Sequence, residues 1–263
     1  MTIENLNLFE NTLITAANAA SKLIKNYINN GFKIDSKGPA NLVTEADIAS
    51  ERIIVETIRK TFPDHSFLGE EKEKADLDSD NLWIIDPIDG TTNFAHGLPV
   101  VGISIAFSRK GEVLVGGVLN PFNDEFYFAS KGNGAFLNKK KIKVSYAKEI
   151  NEALIATGFY YGIGSKLTSS LNVIQKLIDM QCHGIRRMGA ASIDLCYVAR
   201  GINDAYFELK LHPWDFAAGM LLVKEAGGTI VNLKGEDLKL SDIELVATNG
   251  LLENKILDVI NDC

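Results

Sequence analysis

The feature that most constrains this chain is a change of rhythm roughly half-way along it. From Ser66 to Ala129, apolar runs alternate with turns: Ser66 to Leu68, Leu82 to Ile85, Val100 to Ser108, Val113 to Leu119 and Glu125 to Ala129, with Arg109-Lys110-Gly111 and Pro121-Phe122-Asn123-Asp124 as connectors. Short runs rich in branched and aromatic residues, cut by Gly, Pro, Asn and Asp, read as strands joined by tight turns. This succession predicts an antiparallel meander. After about residue 145, strands and helices alternate instead: a strand at Leu154 to Thr157, helices through Leu171 to Met180 and Ala190 to Arg200, a strand at Ala205 to Leu209, a helix from Trp214 to Ala226, strands near Thr229 to Asn232 and Glu244 to Ala247, and a final helix from Leu251. The expectation is therefore two layered halves, an antiparallel α+β half over 1–145 and a mixed α/β half over 146–263. No repeat or low-complexity linker separates them, so one rigid body with a cleft between the halves is expected.

Two helices precede the strands. From Glu4 to Asn29, Leu6, Phe9, Leu13, Ala16, Ala17, Ala20, Leu23, Ile24, Tyr27 and Ile28 recur at helical spacing and mark one buried stripe, ended by Asn29-Asn30-Gly31. A second helix is predicted from about Glu45 to Phe62, with Thr44 as cap, Asp47 three residues later, a stripe of Ile48, Ile54, Ile58 and Phe62, and Pro63 as the stop.

Composition narrows the functional classes. With 46% hydrophobic and 23% charged residues over 263 positions, the chain is long enough to bury a large core. A net charge of -7 argues against gripping nucleic acid through a diffuse positive field. The richest basic run, Asn138 to Lys143, reads as a solvated hairpin turn. Three separated cysteines, Cys182, Cys196 and Cys263, form an odd set with no Cys-x-x-Cys pair and no zinc spacing. With no basic-then-apolar leader and no apolar run of membrane-spanning length, a cytoplasmic protein without a membrane partner is expected.

The chemistry concentrates in Leu82-Trp83-Ile84-Ile85-Asp86-Pro87-Ile88-Asp89-Gly90-Thr91-Thr92-Asn93-Phe94, where two carboxylates follow a buried strand. Hard divalent cations take oxygen ligands, and Mg²⁺ is usually held by one or two carboxylates with substrate phosphate and water. Asp86, Asp89 and the Ile88 carbonyl offer such oxygens. If Gly90-Thr91-Thr92 opens a short helix, its N–H groups face an anion. The order fits neither a calcium loop nor a nucleotide loop. Asp, Pro and Gly are also ordinary turn formers, and on these residues alone metal site and polar turn both stand.

Further acids have the same double reading. Gly69-Glu70-Glu71 follows a predicted strand, with Glu70 opening an acidic exposed stretch. Asp215 follows Pro213-Trp214 at a helix start, where the helix dipole favours an acid, and Asp47 serves as a cap. The four histidines, His65, His96, His183 and His212, lack zinc-hydrolase spacing, and no Gly-x-Ser-x-Gly elbow is present.

Six separated segments together carry a resemblance: Asn41-Leu42-Val43-Thr44-Glu45-Ala46-Asp47, Gly69-Glu70-Glu71, Trp83 to Phe94, Gly184-Ile185-Arg186-Arg187-Met188-Gly189-Ala190-Ala191, Ala205-Tyr206-Phe207-Glu208 and Pro213 to Gly219. In order and spacing the chain resembles the inositol monophosphatase family over nearly its whole length. The resemblance implies a layered α/β/α/β/α sandwich of the sugar-phosphatase type, two or three Mg²⁺ ions, Li⁺ sensitivity and a homodimer. It implies metal ligation by Glu70, Asp86, Asp89, Asp215 and the Ile88 carbonyl, and a catalytic role for Thr91 with Asp47 behind it and for Glu70. It further implies phosphate contacts from Gly90, Thr91 and Thr92, and contacts to the alcohol from Gly189, Ala190, Ala191, Glu208, Asp215 and Arg186. The stretch from Glu71 to Asp78 is expected to be a mobile loop of little catalytic weight.

The substrate expected from the resemblance is a small phosphorylated alcohol, inositol 1-phosphate first. Fructose 1,6-bisphosphate, histidinol phosphate and NADP or adenosine bisphosphate are the alternatives on the same site. A non-enzymatic alternative is a regulatory partner of RNA-processing or transcription machinery, as some bacterial relatives are thought to be.

Overall fold

A computed structural model describes residues 3–38, 41–159 and 164–263. Helices α1 (Ile3–Asn30) and α2 (Glu45–Arg59) flank a hairpin of strands β1 (Ile34–Gly38) and β2 (Asn41–Thr44). Seven strands form the first large sheet: β3 (Ser66–Gly69), β4 (Asn81–Asp89), β5 (Gly102–Arg109), β6 (Glu112–Asn120), β7 (Glu125–Ser130), β8 (Gly134–Leu137) and β9 (Lys140–Lys141), in that spatial order. A short helix α3 (Thr91–Ala95) follows β4. The second sheet has the order β11-β10-β12-β14-β13, from β10 (Leu154–Thr157), β11 (Gly184–Arg186), β12 (Ala205–Glu208), β13 (Thr229–Val231) and β14 (Leu245–Thr248). The remaining helices are α4 (Ser165–Asp179), α5 (Ala191–Ala199), α6 (Pro213–Glu225) and α7 (Glu253–Asn261).

Alternation along the strands builds the layers. On β4, Trp83 and Ile85 point into a core with Phe9, Leu13 and Ile54 of α1 and α2, while Leu82 and Ile84 point into a second core with Leu195 and Leu222 of α5 and α6. On β12, Tyr206 joins that second core, and Ala205 and Phe207 face a third with Leu177 and Ile256 of α4 and α7. Strands buried on both faces read as continuous apolar runs rather than alternating ones. The result is the expected α/β/α/β/α sandwich, with α5 and α6 as the filling between the sheets. Phe216 to Val223 are buried without interruption along α6, as a helix covered on all sides requires. Its approach to the first sheet is close: a Cβ on Gly116 would lie 3.0 Å from the Ala218 Cα and carbonyl oxygen.

Several expectations need correction. The first sheet is not wholly an antiparallel meander, because β3 pairs with β4 in parallel. Strand β4 does not end before the carboxylates but continues through Pro87 to Asp89, with a register shift between Asp86 and Asp89 where the proline lacks a donor. The β1–β2 hairpin is an addition to the predicted elements. Ile48 is 38% exposed; the inward face of α2 carries Asp47, Ser50, Glu51, Ile54, Val55 and Ile58, polar at its start and apolar further on. The stretch after Glu70 is not a free loop, since Gly69 N donates to Glu73 O at 2.9 Å and Ala75 N to Phe67 O at 3.0 Å. Among the described residues no helix is long and apolar enough to cross a membrane.

Candidate active site

The register shift in β4 leaves Asp86 and Asp89 side by side at the sheet's end. Ile88 N donates to Asp86 Oδ1 at 3.0 Å, and Ser192 N at the start of α5 donates to Asp89 Oδ2 at 2.6 Å. Asp215 arrives from the first turn of α6, where Pro213 sits at the start of the helix and His212 N donates to Asp215 Oδ2 at 2.7 Å. The helix-start role and the site location coexist in this one residue. Among the described residues, Asp86, Asp89 and Asp215 form one group whose carboxylate oxygens lie within 4.8 Å of one another.

Their environment is costly for negative charge. Burial pushes the Asp86 carboxyl well above its ordinary value, and Glu70, Asp89, Asp215 and Asp47 add repulsion. Asp215 is likewise raised by burial and by Asp89. Burial lifts Asp89 to about 6, although donors on Ser192 and Ala191 oppose the shift. Like carboxylates gathered in a low-dielectric pocket ionise together only against a compensating positive charge. An all-oxygen, acidic donor set of this kind fits a hard divalent cation.

Beside the acids stands a polar relay. Asp47, fully buried, accepts from Thr44 N at 2.7 Å and Thr44 Oγ1 at 2.5 Å, the reciprocal cap of α2. Its other oxygen accepts from Thr91 Oγ1 at 3.0 Å, and the Thr91 hydroxyl also lies 3.1 Å from the Ile88 carbonyl. Gly90 precedes α3 at a φ of 89°, and a Cβ there would meet Val100 O at 3.0 Å and Ala190 Cβ at 3.1 Å, so glycine is required. The first N–H groups of α3 lack partners within the helix. Asn93 Nδ2 ties this turn to the opposite wall, donating to Val100 O and Met188 O at 2.8 Å each.

A cleft of about 400 Å³ opens over these groups. Glu70, Asp86, Ile88, Asp89, Gly90, Thr91, Thr92 and Asp215 line it together with Gly189, Ala190, Ala191 and Glu208. Burial pushes Glu208 up to about 7, and Tyr206 OH donates to its Oε2 at 2.5 Å. Arg186 is the exception among the expected residues: it is exposed, lies outside the cleft and turns its guanidinium to the Ile185 carbonyl at 3.0 Å. Arg187 lines the cleft instead, 5.9 Å from the Phe159 ring. Asp194 and Lys210 also reach the cleft without having been singled out by sequence. Asp194 had a readable signal, as the single charged residue of the largely apolar α5.

A model of the inositol monophosphatase family matches residues 5–263. An inositol-1-monophosphatase of Rhizobium meliloti is 41% identical over 230 residues, 87% of this chain and 86% of that protein. SuhB of Escherichia coli K12, named a Nus factor, is 39% identical over 255 residues, 96% and 95% of the two chains. Among solved structures, the extragenic suppressor protein SuhB of Bartonella henselae matches with a TM-score of 0.89 at 35% identity, covering 95% of this chain and 97% of its own. With these matches along nearly the whole chain and an acidic triad lining its cleft, the chain belongs to the inositol monophosphatase family, metal-dependent phosphatases of small phosphorylated substrates.

Proposed function

We propose that this protein hydrolyses a small phosphate monoester with Mg²⁺, inositol 1-phosphate being the first candidate. The observation that carries the reading is the meeting, in one cleft, of the Asp86–Asp89–Asp215 cluster and Thr91, with Asp47 buried behind it. In it, Asp86, Asp89, Asp215, Glu70 and the Ile88 carbonyl would hold two or three ions. When bound, Mg²⁺ supplies electrostatic stabilisation to the phosphoryl and leaving-group oxygens and makes water more acidic.

The protein's own groups do the rest. Thr91 Oγ1 donates its hydrogen to Asp47 Oδ1, which leaves its lone pairs to hold a water in line with phosphorus. Glu70 accepts a proton from that water. Gly90, Thr91 and Thr92 direct backbone N–H groups at the phosphate. In the same cleft, Tyr206 fixes one oxygen of Glu208, leaving the other for hydroxyls of the alcohol beside Gly189, Ala190 and Ala191.

Phosphate release from inositol 1-phosphate, fructose 1,6-bisphosphate, histidinol phosphate, NADP and adenosine bisphosphate at matched Mg²⁺ tests the reading. The expected result is fastest release from inositol 1-phosphate, lost on chelation. Faster hydrolysis of another member of the panel reassigns the alcohol, and release that survives chelation removes the metal. Family membership supports Li⁺ inhibition, a homodimer and a cytoplasmic setting, checked by Li⁺ titration, light scattering and fractionation.

The 39% identity to a protein named as a Nus factor favours a second role as a regulatory binding partner. Asp89→Asn separates the two: turnover disappears with the metal site, while a docking role persists.

A further inference from the structure

The polar half of the inward face of α2 touches three of the segments that carry the proposed metal site: α3, the bend of β4 and the turn after Glu70. Asp47 meets Thr91 of α3, Ser50 Oγ donates to Pro87 O at 3.4 Å in the bend of β4, and Glu51 reaches the segment after Glu70. Glu51 is 2% exposed. Its Oε2 accepts from Glu71 N at 2.9 Å, and its Oε1 from Lys72 N at 2.7 Å and Glu73 N at 3.3 Å. The carboxylate lies so close over Gly69 that a Cβ there would overlap it. Three consecutive amides converging on one buried carboxylate fix the turn immediately after Glu70.

The other side of Glu70 is held as well. Glu70 N donates to Ile85 O at 3.3 Å, extending the β3–β4 ladder. Lys74 Nζ donates to the Gly69 and Glu70 carbonyls at 3.2 and 3.0 Å and lies 5.5 Å from the ring of Trp214, the neighbour of Asp215. The Glu70 backbone is thus defined from α2, from β4 and from the α6 start. Of these holds, only Glu51 uses a buried carboxylate, and together with the Gly69 N to Glu73 O bond it fixes the direction in which the chain leaves Glu70.

We propose that Glu51 is a positioning residue: by gathering the amides of residues 71–73 it sets Glu70 against the aspartate cluster and so tunes cation affinity. The inference rests on the metal reading of the site above. Glu51→Gln keeps the size but turns an NH₂ group towards backbone donors, and Glu51→Asp keeps the charge but shortens the reach. Outer groups that orient metal ligands typically alter affinity 10- to 100-fold.

The test is Mg²⁺ titration by calorimetry and by activity, with amide hydrogen exchange across residues 70–74. For both variants the expected result is a Mg²⁺ dissociation constant raised about tenfold or more, kcat at saturating Mg²⁺ changed far less, and faster exchange at residues 71–73. Unchanged Mg²⁺ affinity in a folded variant overturns the proposal, whether or not exchange accelerates. If Glu51→Gln does not fold, Glu51→Asp decides alone. An unsubstituted protein that binds no Mg²⁺ fails the metal reading and this inference together, whereas normal binding in both forms fails the inference alone.

Discussion

Single residues here satisfy two demands at once, and that explains what sequence reading left open. Asp47 completes the cap of α2 with one oxygen and holds Thr91 with the other. Asp215 serves the α6 start and the acidic cluster together. The cap and dipole readings were correct locally; only the tertiary contact reveals the second use. The two roles can be separated by mutation. Thr91→Ala is expected to lower kcat by about 100-fold, the scale of a misplaced reactant, with little change in Tm, and Thr91→Ser to restore most of it. Asp47→Asn disturbs both partners and should also cost about 1 kcal/mol of stability, the usual value of a lost helix cap. Steady-state kinetics beside thermal melts distinguishes these patterns.

At the scale of elements, the helices and most strands were legible because their burial is periodic or complete. Continuous apolar runs marked β4, β5 and β6, and uninterrupted burial explains the apolar α6. The parallel direction of β3 was not legible, since a strand's direction depends on the path of the chain and not on its own residues. Nor was the burial of Glu51, because an acid on a helix is covered only when a distant segment folds over it. Arg186 and Arg187 are adjacent in sequence, and strand β11, which ends at Arg186, leaves one outside the cleft and the other along it. The contact of α6 with the first sheet also has mechanical consequences. Gly116→Ala would push Ala218 outward and carry Asp215 with it. The expected outcome is a loss of about 1–3 kcal/mol, the range for overpacking, together with a raised Mg²⁺ requirement. Denaturant midpoints and Mg²⁺ titration measure the two effects.

For the whole molecule, stability and charge are linked through the site. Asp89 at about 6 and Glu208 at about 7 both lie above ordinary carboxyl values. Without metal the folded chain therefore binds more protons at these two groups than the unfolded one between about pH 4 and 7. The stabilisation from protonation is complete below about pH 4 and is lost as pH rises through about 6 and 7. Added Mg²⁺ should raise Tm, by an amount that grows across this window. At a hundredfold excess over its dissociation constant the stabilisation is about 2.7 kcal/mol. Melting curves from pH 4 to 8, with chelator and with Mg²⁺, check the sign; equal Tm values at pH 8 would count against a metal at this cluster.

The filling of α5 and α6 between two sheets has a kinetic consequence. The acids of the cluster arrive from residues 86, 89 and 215, on elements that meet only once the middle helices have docked on the first sheet. Contacts so distant along the chain form late, after the entropy of closing the intervening loop has been overcome. Recovery of turnover during refolding should therefore trail the return of helical signal and clock the last docking event, which makes the enzyme's own catalysis a stopwatch for its assembly.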